Sequence, residues 1–258
     1  MSDTPTHPTI EALLDSAVEA INRQDPRAAR ALASQVLAVD QNNLDAEELL
    51  AATDVGYVVR RLTILFVDVV GSTALSTRVE PEVYRTVIRR YRDAVQRVVD
   101  KYEGHVGSRQ GDGLLATFGH PIAHENDAHR AVRAGLDIAV EVAALSEQLR
   151  RGFDLEIDVR VGVHHGVVTL DPTLDEVIGV GANLASRVCD LAEPGTVAVS
   201  EPVKRVLRDD FALEPRPACL VKGYDKLVSH YRVVGERDDA RVLRGPLVGR
   251  RHELDYLG

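Results

Sequence analysis

The chain is short of cysteine, short of basic residues and without any long apolar run. Two cysteines in 258 residues, Cys189 and Cys219, cannot build a disulfide framework. They fit a reducing compartment, and both are expected as small buried apolar residues. With 31 Lys+Arg against 40 Asp+Glu, a net charge of −9, there is no basic face to neutralise a phosphate backbone, which argues against nucleic acid as the main partner. The deficit is concentrated at one end: residues 1–56 hold 10 acidic side chains against 3 Arg and no Lys, a balance of −7. No stretch approaches the ~20 apolar residues of a membrane span. The first residues show no basic region followed by an apolar one, so the chain is expected to be soluble and cytoplasmic, with no membrane contact. What is present, 45% hydrophobic and 28% charged residues, is the composition of a globular domain able to bury a core, with room for a smaller appendage.

The chemistry concentrates around Leu62 to Thr73. Six apolar or β-branched residues lead into Asp68, followed by Val69, Val70 and then Gly71-Ser72-Thr73. So short and β-rich a run reads as a strand buried on both faces. A carboxylate within it is costly unless a cation meets it. The Gly-Ser-Thr that follows reads as a strand-to-helix turn whose free N–H groups favour an anion. A cation site beside a phosphate site suggests a metal–nucleotide complex.

Elsewhere the pattern predicts helices over 9–22 and 26–39, broken at Asp25-Pro26, and a third from Asp45, resembling a tetratricopeptide-type hairpin. A helix from Pro81 to about Tyr102 buries Tyr84, Ile88, Tyr91, Val95, Val98 and Tyr102, its Arg-rich opposite face being solvated. Residues 105–118 alternate around Gly111-Asp112-Gly113 as a hairpin with an Asp-Gly turn. A second long helix, Asp127 to Arg150, carries Ala131, Gly135, Ile138, Val142, Leu145 and Leu149 as its buried stripe. A strand or strand pair follows over 155–168, then a loop containing Asp171-Pro172 and a helix from Gly181 to Ala192. Next come a strand at 196–199 and a helix capped by Ser200 and running to Leu207. Two last strands, 218–222 and 229–234, are expected to close the sheet. Strands and helices mix without strict alternation, so the class is α+β.

A hairpin beside the buried strand can bring Asp112 to Asp68. Two carboxylates at one site repel unless a divalent ion neutralises them, and hard oxygen ligands favour Mg²⁺ or Mn²⁺. Asn183 and Arg187, four apart, share one helix face, with Leu184, Val188 and Leu191 inward. Asn can hold a ribose oxygen, Arg can meet a phosphoryl group with a planar fork, and Lys222, read as lying in a strand before Gly223, can anchor terminal phosphates. The pair His164-His165 has no third ligand at useful spacing and reads as structural, while His120, His124 and His129 read as solvated. There is no P-loop and no nucleophile elbow.

Taken together these residues resemble the class III nucleotidyl cyclases over about residues 60–235. Phe66-x-Asp68-x-x-Gly71-Ser72-Thr73 is similar to the first metal motif of that family and Gly111-Asp112-Gly113 to the second. Gly179-x-x-x-Asn183-x-Ala185-Ser186-Arg187 is similar to its Asn/Arg helix, and Val221-Lys222-Gly223 to its phosphate lysine. The resemblance implies a ferredoxin-like βααββαβ core at 56–236 behind a helical appendage at 1–55, working as a head-to-tail homodimer. Asp68, Val69 and Asp112 of one protomer would hold two Mg²⁺ or Mn²⁺ per site, and Asn183, Arg187 and Lys222 would come from the other. Phe66, Gly71, Ser72 and Thr73 would contact substrate, and the base would be read by Ser108 and Glu176. That last pair matches neither the usual adenine set nor the usual guanine set of the family. The substrate the resemblance implies is a nucleoside triphosphate, ATP on family frequency, with GTP open. A second reading is a degenerate cyclase domain that binds nucleotide or a partner and regulates an attached ATPase. A third is a helical interaction adaptor at residues 1–50. Residues 237–258 form a charged linker and a Leu-Val-Gly-Arg segment that resembles the opening of a signalling ATPase module.

Overall fold

The structure is a computed structural model describing residues 9–52, 58–171 and 176–237; the side chains of residues 108–110 and 171 lie outside that description, as do the Pro172 loop and the segment that resembles an ATPase opening. Three helices come first: α1 (Ile10–Asn22), α2 (Pro26–Val39) and α3 (Leu44–Ala52). Each begins on a side-chain cap. Thr9 accepts from Ala12 N–H, Asp25 from Ala28 N–H just before Pro26, and Asn43 from Ala46 N–H.

The strand β1 (Val58–Val69) follows, then α4 (Ser72–Arg78), α5 (Pro81–Lys101), the hairpin β2 (His105–Gln110) and β3 (Gly113–Phe118), α6 (Asp127–Phe153) and β4 (Val159–Asp171). This is the ferredoxin-like βααββαβ core, with neighbours in the order β2-β3-β1-β4 and every pair antiparallel. The chain continues through β5 (Glu176–Ile178), α7 (Val180–Asp190), β6 (Thr196–Ser200), α8 (Glu201–Leu207), β7 (Phe211–Pro215), β8 (Cys219–Leu220), β9 (Leu227–Val228) and β10 (His230–Glu236). β6, β10 and β7 extend the sheet beyond β4, and β6 runs parallel to it.

Alternation along β1 decides what each face holds. Leu65, Val67 and Val69 join the core under α5 and α6, whereas Leu62, Ile64 and Phe66 pack against Ala182, Ala185 and Cys189 of α7. By the same parity Asp68 belongs to the α7 face. The stripe expected on α6 is buried as written, from Ala131 to Leu149. On α5, Ile88, Tyr91, Val95 and Val98 are buried, and Tyr84 and Tyr102 partly so. α7 approaches β4 closely enough that a Cβ on Gly162 would sit 2.2 Å from Cys189 N and one on Gly181 2.5 Å from the Val167 carbonyl. Only glycine permits that contact.

Several expectations are corrected. β1 begins at Val58 and β4 runs from Val159 to Asp171, later than 155–168, because each extends to pair with the other from Val58↔Leu170 to Val69↔Val159. The hairpin loop is Gly111-Asp112, with Gly113 already paired to Gln110; Gly111 takes φ 67, so glycine supplies the turn and leaves Asp112 free to project. Residues 219–220 do not close the main sheet but pair with 227–228 in a separate ribbon, and β7 takes the edge beside β10. Ser200 stands at the α8 N-cap position, yet its hydroxyl is engaged by His164 Nδ1 at 2.8 Å rather than capping. His129 and His124 are not simply solvated: His129 meets Asp210 at 2.6 Å, and His124 contacts Arg130 and Glu103. Cys189 is buried, but Cys219 is only half-buried.

The helices α1–α3 sit directly on the sheet. Leu13, Leu14, Ala17, Val36, Ala46 and Leu49 share a core with Val59 of β1 and Val167 of β4. Asn22 makes both backbone bonds to Val59, and the buried Arg61 side chain pairs with Glu11 and Asp15. Part of the acidic excess of the N-terminal segment is thus matched by a sheet cation.

Candidate active site

The carboxyl groups of Asp68 and Asp112 come close enough to act on one another. The pairing of Phe66 with Leu115 and Val67 with Leu114 carries the end of β1 past the hairpin turn, which is what brings them together. Burial first, and the neighbouring Asp112 second, push the Asp68 carboxyl up to about 7. Asp112 Oδ2 is buried without a hydrogen-bond partner. A pair of half-buried acids, one oxygen of which has nothing to accept from, is a donor set suited to a hard divalent cation. Val69 could add only backbone atoms, its side chain being 2% exposed. Among the described residues no cluster of three or more His, Cys, Asp or Glu is arranged to hold an ion. A metal at the pair would therefore fill its remaining positions with backbone, water or substrate oxygens.

The turn at 71–73 leads into α4. Gly71 takes φ 66 as its N-cap, Ser72 is buried, and Thr73 is exposed. Phe66 is 7% exposed and packed between β1 and α7, so it supports the floor of the site rather than its polar surface.

On α7, Asn183 is exposed and Arg187 is one-third exposed, paired with Asp190 at 3.1 Å. Leu184 and Val188 are buried beneath them, and Leu191 only half so. Lys222 is not inside a strand: it is exposed in the turn between β8 and β9. Among the described residues no hydrogen bond or ion pair joins Asn183, Arg187 or Lys222 to the two aspartates of the same chain. Glu176 is exposed on β5, a short strand where a loop was expected, and β5 lies against β2, whose backbone carries Ser108. The Ser108 side chain lies outside the described residues.

Residues 57–234 match the family profile of the adenylate and guanylate cyclase catalytic domain. The chain belongs to this family. The putative adenylate cyclase 3 of Rhizobium meliloti (strain 1021) is 32% identical over 145 residues, 56% of this chain and 23% of that protein. The chain thus spans about a quarter of that relative's length. The adenylyl cyclase CyaB from P. aeruginosa superposes with a TM-score of 0.65 at 28% identity, over 70% of this chain and 97% of that one. The guanylyl cyclase Cya2 shares the fold at a TM-score of 0.66 and 24% identity, over 72% and 97% of the two chains.

Sequence reasoning passed over two arginines near the acids of the cyclase domain. Arg92, on the α5 face expected to be merely solvated, donates to the Gly111 carbonyl at 2.6 Å and so holds the turn that presents Asp112. Arg160 stands opposite Asp68 in the β1–β4 register, its Nε buried without a partner and its carbonyl accepting from the Cys189 thiol. Neither belongs to a motif, and only strand register and helix packing bring them to the site. No described helix is long and apolar enough to cross a membrane.

Proposed function

We propose that the domain converts ATP to 3′,5′-cyclic AMP and pyrophosphate at sites shared between two copies of the chain. The observation that carries this reading is the Asp68–Asp112 pair with its orphaned Oδ2, together with an exposed Asn183–Arg187 face on α7 whose arginine, among the described residues, is ion-paired with Asp190 alone. Each half has a use only when the other is supplied. A head-to-tail dimer supplies it twice.

In this reading Asp68, Asp112 and the Val69 backbone hold two Mg²⁺ or Mn²⁺ ions, which when bound lower the pKa of the attacking hydroxyl and neutralise charge on the phosphates. The partner's α7 supplies the rest. Asn183 orients the ribose through a hydrogen bond, and Arg187 leaves Asp190 to stabilise charge on the transferring phosphoryl group with its planar fork. Lys222, exposed in the turn between β8 and β9, draws the terminal phosphates, and the N–H groups at 71–73 face the same chain of anions. The 3′-oxygen bonds to the α-phosphorus, the bond from that phosphorus to the bridging oxygen breaks, pyrophosphate departs, and the hydroxyl proton is released to solvent. Holding these groups in line is most of the catalysis. Glu176 reads the base by accepting from an exocyclic amino group, with Ser108 from β2 beside it.

Purified protein incubated with ATP or with GTP, separately with Mg²⁺ and Mn²⁺, should yield 3′,5′-cyclic AMP from ATP and little cyclic GMP from GTP, as identified by mass. Asp68→Ala should abolish it. Cyclic GMP as the dominant product would reassign the base, and unchanged turnover by Asp68→Ala would overturn the role of the acids.

A further inference from the structure

The helix α7 carries Asn183 and Arg187 but lacks a cap of its own. Its N-cap is Gly179, at φ 115 and without a side chain to accept from the first turn. The missing acceptor comes from the N-terminal helices. Glu48 Oε2 of α3 accepts from Val180 N–H at 2.6 Å, and a Cβ on Gly179 would fall 2.1 Å from Glu48 Oε1. The carboxylate therefore lies flat against the one residue that leaves room for it. Its oxygen lies at the positive end of the helix dipole, where an acceptor is favoured. One turn on, Asn183 N–H closes the first helical bond to the Gly179 carbonyl at 3.2 Å.

The same corner holds the lysine turn. The Val180 carbonyl accepts from the Tyr224 hydroxyl at 3.3 Å, two residues beyond Lys222, and Lys226 Nζ pairs with Glu47 of α3 at 3.0 Å. Asp45 of α3 fastens the assembly to the sheet by accepting from Val167 N–H at 2.8 Å. One short helix thus touches β4, the start of α7 and the Lys222 turn with three acidic side chains from a single stretch, Asp45 to Glu48.

We infer that Glu48 is a positioning residue for the nucleotide half-site: through Val180 it sets α7, and with Tyr224 and Glu47–Lys226 it sets the Lys222 turn, so that helices α1–α3 govern how well Asn183, Arg187 and Lys222 meet substrate. This rests on the proposed function insofar as those three residues bind nucleotide. Whatever displaces α3 from this corner loosens both elements at once.

The test uses the full chain with Glu48→Ala, Glu48→Gln and Tyr224→Phe. Glu48→Ala should lower kcat/KM for Mn²⁺-ATP about tenfold, the rate equivalent of one hydrogen bond involving a charged group, chiefly through a raised KM. Glu48→Gln should stay within about threefold of the wild type, because an amide oxygen still accepts from Val180 N–H. Tyr224→Phe, which removes one hydroxyl and no packing, should raise KM by about threefold. In parallel, amide exchange at 180–183 and 222–226 should quicken about tenfold in Glu48→Ala, with the α5 and α6 amides unaffected. Exchange and KM in Glu48→Ala equal to those of the wild type would overturn the inference, as would Glu48→Gln falling as far as the alanine variant. If the wild type makes no cyclic nucleotide, the functional reading fails, while the exchange arm still decides whether Glu48 couples α3 to the two elements.

Discussion

The two halves of the candidate site are built on opposite principles. The acidic half, at the end of β1 and the β2–β3 turn, is partly buried and electrostatically unsatisfied: Asp68 is held up at about 7, and Asp112 keeps an oxygen with no donor. Its geometry is set by strand pairing and by a two-residue turn to which Arg92 donates. The other half, on α7 and the 221–226 turn, is solvent-facing and idle. Arg187 rests on Asp190, Lys222 is exposed, and the backbone of α7 is held by Glu48 and by close packing against Gly162. In the proposed reading a divalent cation would relieve the crowding of the two acids, and the substrate's phosphates would engage the arginine and the lysine. On that reading neither half is a site alone, which would give two copies a physical reason to share one.

The sharpest way to break this comparison is to separate the halves genetically. Asp68→Ala and Arg187→Ala should each lower cyclic-nucleotide formation by at least ~10³-fold. Mixing the two purified variants should restore about a quarter of wild-type activity, since about half the exchanged dimers carry one intact site out of two. A mixture as inactive as its components would place both halves within one chain.

A smaller effect should separate the halves without substrate. In metal-free protein, Asp112→Asn removes the repulsion and should raise the melting temperature by about 2–4 °C. Arg187→Ala, which removes only a partly exposed pair, should move it by less than about 1 °C. Equal shifts would mean that the acidic half is not strained.

The anchor of the cationic half should show itself through pH. Burial, its largest cause, raises the Glu48 carboxyl from 4.5 to about 7. Between those values the folded chain binds a proton that the unfolded chain releases. The stability linked to Glu48 is therefore present in full below pH 4.5 and lost as pH rises through 7. Compared with Glu48→Gln, the wild type should lose melting temperature steadily from about pH 5 to 7 and run parallel above that. A constant difference across the range would show a solvated carboxylate. Smallest of all, Asp190→Ala should free Arg187 and change kcat/KM by no more than about threefold, as exposed pairs are worth under ~1 kcal/mol.

Periodicity made the elements legible wherever one face dominates. The stripes of α5 and α6, the helix break at Asp25-Pro26 and the apolar run of β1 follow from local spacing, and the four short motifs were readable because each couples a polar group to a strand end, a turn or one helix face. Sheet order beyond β4 was not readable. β8 and β9 are two-residue strands that pair with each other across a local turn, too short for alternation to tell them from a sheet strand, so 218–222 looked like one and β7 went unnoticed. Lys222 was misplaced for the same reason.

Local chemistry alone determined that this chain carries two acids beside glycine turns, an Asn/Arg helix face and a lysine before Gly223 in a mixed α+β domain, because residue type and spacing act over a few positions. Only the tertiary structure decided that the acids meet with one oxygen orphaned, that Arg92 and Arg160 stand beside them, and that Glu48 caps a helix 132 positions away. Those are long-range contacts. Their energy comes from burial and register between segments that nothing local in the sequence connects.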